Sequence, residues 1–261
     1  MNRFLAALQF LTIIRIPWRR EVQVEEVGRS AGYFPVVGLI IGLILAGLNG
    51  LNWLLGLFLP SDLFLPSAVV NALLIVAMVV ISGALHLDGF VDTCDGIAGH
   101  KTVEDRWKVM RDSRVGGFGI VGVVLLLLLK YVSLNSIPGP LMMMTLVLMP
   151  VVSRWAMVYA IFTYPYARPS GLGKAFKQGT SWPRFTMATI ITVVVVAILA
   201  LRFSLALLFL MFVIWIITVV MAAYLKSKFS GLTGDNYGAI NEVAEVAVLI
   251  LLNLLVQVGL I

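Results

Sequence analysis

The sequence predicts an all-α integral membrane protein: a bundle of about seven transmembrane helices with an N-terminal amphipathic or half-inserted helix. Three observations carry this expectation. Of 261 residues, 61% are apolar and only 12% charged, with a mean hydropathy of +1.02; a soluble domain is roughly a quarter charged. The apolar runs are continuous instead of alternating, which selects helices over a barrel. Most of them also approach or exceed the roughly 20 residues a spanning helix needs.

Residues 2–16 fall short of that length and read as a helix lying at, or partly in, the interface. Arg15, Arg19, Arg20 and Arg29 follow, mixed with Glu21, Glu25 and Glu26, a pattern that suits contact with anionic lipid. No small-residue cleavage site follows the apolar stretch, so a cleavable signal peptide is not expected. Spanning helices are then expected near 34–59, 67–87, 117–135, 141–163, 185–201, 205–225 and 242–260. Pro60, Pro66, Pro138-Gly139-Pro140 and Pro183 stand at or near the breaks, as helix-stopping residues do. In the first span Gly38, Gly42, Ala46 and Gly50 recur every fourth residue, a small-residue stripe that lets a neighbouring helix approach closely.

The connections divide into two groups. Those near 1–33, 88–116, 164–184 and 226–241 are long and hold sixteen of the nineteen lysines and arginines; the others are short and nearly neutral. The positive-inside bias therefore puts the long loops in the cytoplasm and the C-terminus outside, in a cell inner membrane. Residues 1–261 read as a single membrane-embedded catalytic domain with one functional face. The net charge of +6 reports orientation and lipid contact, and no nucleic-acid partner is expected. Cys94 is the single cysteine, so an internal disulfide is excluded; it reads as a small filler.

The chemistry is expected around Asp88, Asp92 and Asp95, spaced i, i+4, i+7 and hence on one face of a helix. Three anions on a stripe need a cation, and hard oxygen ligands suit Mg²⁺ or Mn²⁺. Downstream, Arg111 and Arg114 precede a glycine-rich helix start, where free N–H groups and guanidinium groups would hold phosphate; plain anchoring on the cytoplasmic side would also explain them. Asp235, Asn236, Glu242 and Glu245 form a second oxygen-rich set, although Glu242 and Glu245 at a helix start also fit a favourable dipole placement. Arg154 lies inside a span and should face the bundle interior and bind something. Arg168 sits in a glycine-containing basic loop suited to an anionic substrate or to lipid headgroups. His86, at the end of an apolar run, reads as a satisfied interfacial residue, though within reach of proton transfer. Carboxylates for a metal beside arginines for phosphate point to phosphoryl or nucleotidyl transfer.

These residues resemble one family, cobalamin-5′-phosphate synthase, also called adenosylcobinamide-GDP ribazoletransferase. The resemblance runs the length of the chain. It lies in Thr12–Pro17, Tyr33–Gly38, His86-Leu87-Asp88-Gly89 through Asp92 to Asp95-Gly96, Met110–Gly116, Ala167-Arg168, and Thr233-Gly234-Asp235 through Gly238-Ala239 to Glu242 and Glu245. It implies a Mg²⁺-dependent membrane enzyme joining adenosylcobinamide-GDP to α-ribazole, or its 5′-phosphate, with release of GMP. The roles within that reaction follow from the residues' own chemistry and not from the resemblance: Asp88, Asp92 and Asp95 would hold the metal, and Arg111 and Arg114 phosphate oxygens. Asp235, Glu242 or Glu245 completes the metal site or takes the hydroxyl proton, and a homo-oligomer is compatible with the sequence. A CDP-alcohol phosphotransferase is the next reading, but its expected Ala-Arg after Asp95-Gly96 is absent: Ile97-Ala98 and Gly99-His100 follow. A secondary transporter is disfavoured because the charges gather at one face and not at the midplane.

Overall fold

A computed structural model describes residues 3–15, 24–55, 65–98 and 102–261, and among these every regular element is helical. Arg19, Arg20, Glu21, Pro60 and His100 lie outside the described residues. The order is α1 (Arg3–Leu11), α2 (Val24–Gly28), a 3₁₀ turn (Ala31–Tyr33), α3 (Phe34–Leu55), α4 (Ser67–Ile81), α5 (Leu85–Ile97), α6 (Val103–Val109), α7 (Gly117–Asn135), α8 (Gly139–Thr163), α9 (Leu172–Gly179), α10 (Trp182–Arg202), α11 (Ala206–Phe229) and α12 (Gly234–Gln257). Among the described residues six helices are long and apolar enough to cross a membrane: α3, α7, α8, α10, α11 and α12. α4 and α5 make a seventh only as a pair bent by 88°. The expected bundle is therefore present. α1 is too short to span, since nine residues rise only about 14 Å; it buries Ala6, Ala7, Leu8 and Leu11 against the bundle.

Helix α8 is the axis. Its apolar stretch is 83% buried, against 22% for α10, so α8 is surrounded by protein while α10 offers most of its surface outward. The small-residue stripe of α3 explains the tightest contact. A Cβ at Gly42 would come within 2.7 Å of the Leu146 carbonyl oxygen, and one at Gly38 would collide with that of Pro150. Without large side chains between them, the two backbones lie in direct contact.

Three local features depart from the sequence expectation, and each has a physical cause. The span expected at 67–87 stops at Ile81, because Gly83 and Ala84 both adopt left-handed φ (60° and 56°) and turn the chain. The N-terminal segment secures this bend: the Ile13 N–H donates to the freed Ile81 carbonyl (2.8 Å). The segment expected as the loop 88–116 instead contains α5 and α6. The last helix begins at Gly234 and not near 242, because a reciprocal cap starts it: the Asn236 N–H donates to Thr233 Oγ1 (3.2 Å) and the Thr233 N–H to Asn236 Oδ1 (3.0 Å). Glu242 and Glu245 thus lie two to three turns inside the helix, not at its head.

Replacing Gly38 by Ala is expected to destabilise the folded protein by about 1–3 kcal/mol or more through overpacking. Gly47→Ala, with open space around the new methyl, should be tolerated. Thermal melts of the two variants in the same detergent check the contrast.

Candidate active site

The site is built where α5 and α12 cross antiparallel. A Cβ at Gly89 would come within 2.8 Å of the Asp235 carbonyl oxygen, and one at Gly238 within 3.0 Å of the His86 carbonyl oxygen. Two glycines, one on each helix, therefore allow the backbones to touch. The crossing is fixed by the Asn236 side-chain amide, which donates to Thr93 Oγ1 (3.1 Å). As a result Asp88 and Asp92 of α5 come within electrostatic range of Asp235 at the start of α12. Asp88 is exposed, Asp92 half-buried.

Arg168 is brought to the same place by a backbone clamp. The Ala167 N–H donates to the Leu232 carbonyl and the Leu232 N–H to the Pro165 carbonyl, both at 2.8 Å. Gly231, at φ 142°, lets the two segments pass, since a Cβ there would meet Ala167. The Arg168 guanidinium then donates to Asp235 Oδ2 at 3.1 Å. Asp88, Arg168 and Asp235 border a cavity of about 290 Å³ whose deeper wall is apolar. Burial pushes the hydroxyl pKa of Tyr166, also on this wall, above its ordinary value, so it stays neutral at physiological pH.

The other expected site residues are placed differently. Asp95 is buried and accepts the Gly116 and Gly119 N–H groups, each at 2.7 Å. The anion site expected at the start of α7 is thus filled by the protein's own carboxylate. Asp95 shares a helix face with Asp88, but seven residues separate them by roughly 10 Å along the axis; a common face is not a common point. Glu242 and Glu245 are buried and both bind Lys130 of α7, at 2.7 and 2.6 Å. Glu245 also pairs with Arg154 of α8, so the intramembrane arginine does face the interior and its partner is internal. Arg114 is turned to solvent and bonded to Asp112 at 2.7 and 3.0 Å, which holds the Asp112 carboxyl well below its usual range, to about 2. Arg111 is exposed, close enough to Tyr166 to act on its hydroxyl electrostatically. Among the described residues no three carboxylate, imidazole or thiol groups converge as a ready-made metal cage.

Residues 3–253 match the family model described as cobalamin-5-phosphate synthase. The chain belongs to the cobalamin-5-phosphate synthase family. Curated relatives named adenosylcobinamide-GDP ribazoletransferase agree along the chain. That of Geotalea daltonii is 38% identical, covering 97% of each chain. That of Desulforamulus reducens is 33% identical over 94% of each, and that of Desulfitobacterium hafniense is 37% identical over 68% of each. No solved structure matches.

For this member of the cobalamin-5-phosphate synthase family, sequence reasoning missed two groups. One is Lys130, a lone cation in the run Val123–Val132; an intramembrane lysine is itself the signal that a buried anion awaits it. The other is the glycine pair Gly89 and Gly238, whose meaning depends on which helices cross. Cys94 is a filler as expected: a Cβ at Gly122 would sit 2.8 Å from its sulfur. The four buried charges Lys130, Arg154, Glu242 and Glu245 balance in sign. Lys130→Met should therefore cost about 3–5 kcal/mol by leaving a glutamate uncompensated. Adding Glu242→Gln to that variant should recover part of the loss. A double-mutant cycle of detergent melting temperatures tests this coupling.

Proposed function

We propose that this chain is an adenosylcobinamide-GDP ribazoletransferase acting by Mg²⁺-assisted phosphoryl transfer. It joins adenosylcobinamide-GDP to α-ribazole, or its 5′-phosphate, giving adenosylcobalamin or its 5′-phosphate and GMP. Beside family membership, the observation that carries this reading is the meeting of Asp88, Asp235 and Arg168 on the wall of one cavity, with Asp92 within electrostatic range of all three.

The residues present fit the metal. Mg²⁺ is typically bound by one or two carboxylates together with substrate phosphates, and keeps several waters. Asp88 and Asp92 are one turn apart, and among the described residues neither side-chain carboxylate is engaged in an ion pair or hydrogen bond. They would hold Mg²⁺, which when bound neutralises charge on the diphosphate. Asp95, Glu242 and Glu245 are already bonded to protein donors, so their work is to hold α5, α7, α8 and α12 in place.

The remaining steps belong to the chain's own groups. Arg168 binds phosphate oxygens as a bidentate donor, and Arg111 adds positive charge at the mouth. The ribose 3′-hydroxyl oxygen bonds to the corrinoid-side phosphorus while the bond from that phosphorus to the GMP oxygen breaks. Asp235, on the cavity wall, takes the hydroxyl proton. Positioning and charge neutralisation supply most of the rate in such transfers. Asp235 lies at the N-terminal end of α12, and the other end of that helix is about 36 Å away. With the positive-inside bias, this supports a cytoplasmic active face and an outer C-terminus in the inner membrane.

Purified protein given both substrates and Mg²⁺ is expected to release GMP, and a chelator to abolish the release. Asp88→Asn and Asp92→Asn should lower turnover on the order of a hundredfold or more and shift the Mg²⁺ requirement upward. Glu242→Gln should lower stability and leave the Mg²⁺ midpoint where it was. Turnover that ignores Mg²⁺, or needs a CDP-linked lipid alcohol, would refute the reading.

A further inference from the structure

The cavity contains two polar side chains that the catalytic account does not use. His86 is 2% exposed, and neither of its ring nitrogens has a hydrogen-bond partner among the described residues; Tyr237 is 3% exposed, and its hydroxyl likewise has none. Both line the cavity. Buried polar atoms are nearly always paired, because an unpaired one loses its water without replacement. Two at one cavity point to a ligand that supplies the missing bonds.

The rest of the wall describes that ligand. Phe10, Phe34 and Phe176 form a ring cluster with centroids 4.6–6.1 Å apart, joined by Met157 and Ile161. Such a wall suits a flat aromatic ring. At about 290 Å³ the cavity is at the bottom of the ordinary range for whole small ligands, about 300–1,000 Å³. It admits a two-ring base and not a corrin macrocycle. Its mouth is charged, where a sugar phosphate would stand, beside Asp88, Arg168 and Asp235.

The substrates carry three two-ring bases: the adenine and guanine of adenosylcobinamide-GDP and the base of α-ribazole. Adenine, with an amino group and three free ring nitrogens, would leave most of its polar atoms unpaired here. Guanine carries an amide, an amino group and several ring nitrogens, and most of these would be left unpaired against phenylalanine and methionine. The base of α-ribazole is a methylated benzimidazole with one free ring nitrogen, which asks for a single donor. Resting on the transferase reading above, we propose that this cavity is the subsite for the α-ribazole base. His86 donates to its free ring nitrogen, and the Tyr237 hydroxyl is the second polar contact. The side chains that choose the nucleoside acceptor are then distinct from those that hold the diphosphate, although all share one cavity.

Steady-state kinetics on the full chain in detergent, with both substrates varied and GMP release measured, test this. His86→Phe is expected to raise KM for α-ribazole roughly five- to thirtyfold and leave KM for adenosylcobinamide-GDP within about twofold. Tyr237→Phe, which removes only the hydroxyl, should move the same constant in the same direction. With wild-type protein, free 5,6-dimethylbenzimidazole should compete with α-ribazole and not with adenosylcobinamide-GDP, a readout that needs no variant to fold. An unmoved KM for α-ribazole in both variants, a shift confined to adenosylcobinamide-GDP, or guanosine competing in place of the base would overturn the subsite while wild-type turnover stands. Wild-type protein that releases no GMP would remove the transferase reading and the subsite together.

Discussion

Inside a low-dielectric bundle an uncompensated charge is expensive, so ions must meet in balanced sets. Lys130 of α7, Arg154 of α8, and Glu242 and Glu245 of α12 form such a set, all shut away from solvent. Their bonds determine how α12 is rotated. One face must turn its glutamates toward α7 and α8, and the start of the helix then presents Asp235 at the surface of the bundle. The position of the candidate site follows from this internal neutralisation.

Helix α5 is held between the two partners that this set ties together. On one side Asp95 caps α7 through the Gly116 and Gly119 N–H groups; on the other, Gly89 and Gly238 let α5 touch α12. A carboxylate at a helix N-terminus is favourable in itself, and here it also anchors the helix that carries Asp88 and Asp92. Three acidic residues in one motif thus divide their labour by depth. Asp95 is buried and structural, Asp92 is half-buried, and Asp88 is open to the mouth.

Arg168 illustrates a different kind of positioning. Its loop has no regular structure of its own, yet a two-bond backbone clamp to Leu232 fixes it beside Asp235. Pairing the arginine with this carboxylate keeps the mouth partly neutral before substrate arrives. In the proposed reaction, phosphate would compete for a guanidinium already in position, which lowers the ordering cost of binding.

Much of the fold was legible in the chain alone. Hydropathy and run length determined a helical membrane bundle, because no water is available inside a bilayer to satisfy an open backbone. The stripe Gly38, Gly42 and Gly50 announced a close helix contact, and residue type and spacing singled out Asp88, Asp92 and Arg168, which the fold brings near one another. What only the tertiary structure decided is which of the acidic residues are free. Sequence spacing says that Asp88 and Asp95, or Asp235 and Glu242, share a helix face; it does not say what stands opposite. Lys130, more than a hundred residues away from Glu242 and Glu245, claims both glutamates, and the start of α7 claims Asp95. Those partners come from helices distant in the chain, and only packing chooses them.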